Sequence, residues 1–99
     1  MTLNELIIAV KEKNLSKDQL EAYRSDMSEL FAQMQMEMAD LEKEEALFLD
    51  KQEEDKSAIS KKINWKATPA GQRLIVLKRY SLATREMLNS LKSRLYSIY

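Results

Sequence analysis

One glycine and one proline serve all 99 residues, and they stand two positions apart, as Pro69 and Gly71. A chain of many strands needs turn residues at every reversal. This one has a single strong punctuation, Thr68-Pro69-Ala70-Gly71, and long stretches without any. Glycine-rich phosphate loops are excluded on the same ground. Glu, Lys, Leu, Met, Gln and Ala dominate, and these residues favour helix. The expected fold is all-α: an antiparallel hairpin of two long amphipathic helices with a short N-terminal helix, in a single helical domain. Two helices bury only one stripe each, so the core is expected to be completed by oligomerisation.

The helices can be placed from their start and stop signals. Thr2, with Glu5 three residues on, reads as a capping box opening a helix over 3–13. Leu3, Leu6, Ile7 and Val10 form its apolar side, Lys11 and Lys13 suit its last turn, and Asn14 suits a left-handed cap. Ser16-Lys17-Asp18-Gln19 is a second capping box. After it, Leu20, Met27, Met34, Leu41 and Phe48 recur every seven residues, Tyr23 and Leu30 fill the intervening seam, and Phe31 and Met38 widen the stripe. Glu37 and Glu44 occupy the next seam positions, so strict heptad spacing weakens after Met34. This helix is expected over 17–66, with a possible break near 54–57, where Ser57 could cap a new start. Pro69 suits the first turn of the next helix, over 69–97. Its apolar face is Leu77, Tyr80, Thr84, Met87, Leu88, Leu91, Leu95 and Ile98.

Composition removes several functions. There is no Cys and no His, so disulfides, the commonest metal ligand and the commonest general base are absent. No apolar run approaches the ~20 residues of a membrane span. Glu5, close behind Met1, does not suit a signal peptide. No nucleophile has a candidate base at a recognisable spacing, so no catalytic residue is assigned, no enzyme activity is expected, and no cofactor or metal is implied. The run Glu42, Glu44, Glu45, Asp50, Glu53, Glu54, Asp55 reads as a solvated helix face. A soluble, cytoplasmic protein is expected.

Charge is sharply partitioned. Residues 1–55 hold 15 Asp/Glu and 6 Lys/Arg, whereas residues 56–99 hold one acid, Glu86, and 10 Lys/Arg. On the second helix Asp26, Glu29, Glu37, Asp40 and Glu44 flank the apolar stripe. On the last helix Lys78, Arg85 and Lys92 recur at seven-residue spacing. Coiled coils use such flanks to fix partner and orientation, and the two could meet within the fold or between subunits. The basic flank could also follow a phosphate backbone. A second candidate is Lys61, Lys62, Trp65, Lys66 and Arg73: lysines neutralise phosphates, and a ring can stack on a base. The alternative for Trp65 is a packing anchor. Met34, Met36 and Met38 either fill the core or form an adaptable docking surface, with Met36 off the main stripe.

The segment Leu88-Asn89-Ser90-Leu91-Lys92-Ser93-Arg94-Leu95 resembles the Ala-Ile-Lys-Ser-Arg stretch near the end of the UvsY-type recombination mediators of tailed phages. Met36 to Leu49 is similar to that family's Glu/Lys/Ala-rich central helix, and the layout is similar too. The resemblance implies a ring-forming accessory protein of a phage-infected cell. Such a protein binds single-stranded DNA and helps a RecA-like recombinase displace single-strand-binding protein. Only Lys92 and Arg94 carry over, with an implied role in assembly. An oligomer or partner interface is expected at Met34, Met36, Met38, Lys78, Arg85, Leu88, Leu91, Lys92, Arg94 and Leu95. Lys61 and Lys62 do not match the family's motif. Two functions therefore stand as expectations: a homo-oligomer that binds single-stranded nucleic acid, or a coiled-coil module that binds a protein, as a phage structural component or an inhibitor of a host or defence protein.

Overall fold

A computed structural model describes residues 2–12, 14–52, 54 and 56–98, with Ile98 described by its backbone alone. Lys13, Glu53, Asp55 and the Ile98 side chain, each given a place above, lie outside the described residues. Four helices follow one another: α1 (Leu3–Val10), α2 (Lys17–Asp50), α3 (Ala58–Lys66) and α4 (Pro69–Ile98). Among the described residues there is no strand. The fold is an all-α hairpin of the long helices α2 and α4, with a short helix at the N-terminus. Among the described residues no helix is long and apolar enough to cross a membrane.

The start signals act as local chemistry requires. At the head of α2, Gln19 N–H donates to Ser16 Oγ at 3.2 Å and Ser16 N–H donates to Gln19 Oε1 at 2.9 Å, a reciprocal capping box. Thr2 Oγ1 accepts from Glu5 N–H at 3.2 Å. The break in the long helix is real and wider than 54–57. Helix α2 ends at Asp50, and Ser57 opens α3 by accepting from Ser60 N–H at 3.1 Å. Thr68 opens α4: its Oγ1 accepts from Gly71 N–H at 2.9 Å and donates to Trp65 O at 2.6 Å.

Two expectations at the end of α1 are corrected. The helix stops at Val10, with Lys11 as a right-handed cap (φ −73°, ψ −13°), and among the described residues no non-glycine residue has positive φ, so Asn14 is no left-handed cap. The terminal carbonyls are satisfied from elsewhere. Arg94 donates through Nη1 to Val10 O at 2.6 Å and through Nη2 to Glu12 O at 2.8 Å.

The chain divides into two compact units, residues 1–33 with 81–99 and residues 34–80. In the first, Leu6 and Val10 of α1, Leu20 and Met27 of α2, and Leu91 and Leu95 of α4 form the core, with Leu15, Tyr23, Leu30, Met87 and Leu88 packed against it. In the second, Leu41, Trp65, Leu74 and Leu77 are buried, with Met34, Met38, Phe48 and Ala70 against them.

Burial along α4 falls at Leu74, Leu77, Ser81, Thr84, Leu91 and Leu95, with Leu88 half-buried. This is alternating three- and four-residue spacing, and it corrects one residue of the expected face. Tyr80 lies on the flank, half exposed, and the smaller Ser81 takes the seam. On α2 Glu37 and Met38 are both half-buried, and one heptad on Glu45 is half-buried while Glu44 is exposed. A helix of 3.6 residues per turn precesses by about 20° per heptad against a seven-residue repeat.

Candidate interaction surfaces

The Trp/Lys turn is assembled in the second unit by a close helix approach. A Cβ added to Gly71 would lie 2.0 Å from Trp65 O, so only glycine lets the first turn of α4 meet the end of α3. That approach fixes Trp65 inward. It is 5% exposed, and its ring centroid stands 5.5 Å from Phe48 at 55°. Trp65 is thus a packing anchor, and it offers no face for a base to stack on. Around it, Lys62 and Lys66 are exposed and Lys61 is half-buried.

Arg73 is committed to a partner. Its Nε and Nη2 donate to Glu37 Oε1 and Oε2 at 2.9 and 3.1 Å, a bidentate ion pair. Hydrogen bonding from Arg73 holds the Glu37 carboxyl below its ordinary range, and the same contact raises the guanidinium. This explains why a carboxylate is tolerated at a seam position of α2.

The other charged flanks stay open. Lys78 and Arg85 are exposed and make no ion pair among the described residues, and neither do Asp26, Glu29, Asp40 and Glu44. Lys92 lies over the Tyr96 ring, 5.8 Å from its centroid. The partition of charge along the sequence is also not a partition in space. Each unit takes segments from both halves, so the first holds seven Asp/Glu and seven Lys/Arg and the second nine of each.

The residues expected at an oligomer interface separate into two groups. Leu91 and Leu95 are buried in the first unit, Leu88 packs against that core, and Arg94 is bonded to the end of α1. These side chains are taken up by the chain's own fold. Met34 and Met38 pack against the second core, whereas Met36 is 71% exposed. Sequence reasoning left one feature unassigned: Ile59 and Ile63 stand out from α3, 73% and 61% exposed. Their four-residue spacing is legible, but a nine-residue helix does not say which side it buries. Among the described residues no three carboxylates come together in a way that could hold an ion.

No family model, curated protein or solved structure matches this chain.

Proposed function

We propose that this chain is a small non-enzymatic helical accessory protein that self-associates and binds single-stranded nucleic acid through its phosphates. The observation that carries this reading is the open flank of α4. Lys78 in the second unit and Arg85 and Lys92 in the first are exposed, lack a carboxylate partner among the described residues, and recur every seven residues in the sequence. With Trp65 buried, binding rests on charge neutralisation, which is tolerant of sequence and sensitive to salt. A role beside a RecA-like recombinase in a phage-infected cytoplasm, as the resemblance to UvsY-type mediators implies, fits such a binder.

A second reading is favoured by a separate observation. Met36, Leu47, Ile59 and Ile63 are large apolar side chains left outside in the second unit, which suits a coiled-coil module that binds a protein. A titration of labelled single-stranded DNA across salt concentrations decides between them. The first reading predicts binding at low salt. In the triple variant Lys78→Ala, Arg85→Ala, Lys92→Ala, the slope of log affinity against log salt should be shallower by about 2, since each lost phosphate contact removes about 0.7. A folded protein that binds no strand at low salt overturns it and leaves the protein-binding module.

A further inference from the structure

The outward side of α3 is the surface that folding leaves least explained. Ile59, Lys62, Ile63 and Lys66 are spaced i, i+3, i+4, i+7, which sets them on one side of a helix. All four are exposed, while Trp65 on the other side is buried. β-Branched residues are poor at solvated helix positions, because they lose rotamer freedom and gain no burial. At nine residues, α3 is also too short to hold itself by propensity. A ridge of two isoleucines edged by two lysines therefore calls for an acidic, apolar seat.

The same unit carries an apolar groove with two carboxylates on the helix beside it. A groove of about 290 Å³ is lined by Glu44, Leu47, Phe48, Lys51 and Trp65, and Leu47 is 60% exposed. Asp40, Glu44 and Leu47 share one side of α2 at i, i+4, i+7, with Lys43 and Lys51 beside them; both carboxylates are exposed without an ion-pair partner among the described residues and stand at the same four-residue spacing as Lys62 and Lys66. A ridge and its complement on one surface are what a two-fold contact between identical chains requires.

We infer that a second copy of this chain occupies the groove. Ile59 and Ile63 of one copy pack against Leu47 and Phe48 of the other. Lys62 and Lys66 meet Glu44 and Asp40, and the contact is made twice in a dimer. The inference rests on the self-association in the proposed function, not on its nucleic-acid binding. It moves the contact from Leu91 and Leu95, which the core takes up, to α3.

Sedimentation velocity on the full chain tests this with paired charge reversals. The variant Lys62→Glu, Lys66→Glu and the variant Asp40→Lys, Glu44→Lys should each weaken self-association by at least about tenfold, because like charges then face each other. Mixed in equal amounts, the two variants should restore a dimer, which also shows that both are folded. A wild-type dimer that both variants match leaves self-association standing and overturns this contact. A wild-type chain that is monomeric throughout overturns both. If Lys62→Glu, Lys66→Glu keeps the dimer but loses DNA binding, the ridge serves a polyanion and the inference fails.

Discussion

The two units are each built from a stretch of α2 and a stretch of α4, and each has one short helix as its third member. They close differently. In the first, the eight-residue α1 turns Leu6 and Val10 into a core of six buried aliphatic and thioether side chains. In the second, the nine-residue α3 gives the core only Trp65 and turns Ile59 and Ile63 to solvent. The comparison teaches that closure here depends less on helix length than on the side to which the short helix turns its apolar residues. The first unit leaves Ile8, Leu82 and Tyr96 exposed, no two of them within one turn of a helix. The second exposes Ile59 and Ile63 one turn apart on α3, and the proposed contact with a second copy uses that pair.

The sharpest way to break the comparison is to damage each unit at its tightest point. Leu91 is fully buried in the first, and Leu91→Ala should cost about 3 kcal/mol through lost burial and a residual cavity. Gly71→Ala in the second should cost about 2 kcal/mol, because the added methyl meets the Trp65 carbonyl. The sign is diagnostic, since glycine to alanine inside a helix otherwise gains up to about 1 kcal/mol. Urea titration with Trp65 fluorescence reads both.

A smaller effect isolates what holds α1. Arg94→Met retains much of the stem and removes the donors to Val10 O and Glu12 O. The expected loss is about 1.5 kcal/mol, with faster amide exchange across Leu3–Val10 and little change in α3. The smallest effect comes from Glu37, whose exposed ion pair is screened. Its folded-state pKa is lowered by Arg73, so its contribution is present above the ordinary carboxylate value of about 4.5 and disappears as pH falls through the lowered value. Glu37→Gln should therefore lose less stability than the wild type between neutral pH and pH 3, as measured by urea midpoints.

How much of this was legible in the sequence follows from how local each cause is. The Ser16/Gln19 box and the restart at Thr68-Pro69 are settled within four residues, and sequence reading finds such signals. The true end of α1 was hidden because its carbonyls are satisfied by Arg94, 84 positions away. The inward turn of Trp65 was one of two open readings, because it depends on the approach that Gly71 permits. Tyr80 stands three residues after Leu77 and four before Thr84 and fits the face as well as Ser81 does by spacing alone; the structure buries Ser81. The two charged flanks are legible as sides of helices, but whether they meet is a matter of distance. Only Glu37 and Arg73 of those weighed come within bonding reach.

The central claim is that the second unit, through α3, is where this chain meets its own copy. Amide hydrogen exchange at low and high protein concentration tests it directly. The account predicts that raising the concentration slows exchange across Ala58–Lys66 and around Leu47, and leaves Leu3–Val10 unchanged. Concentration-dependent protection of α1 or of the Leu91–Leu95 turn, with α3 unaffected, would contradict it.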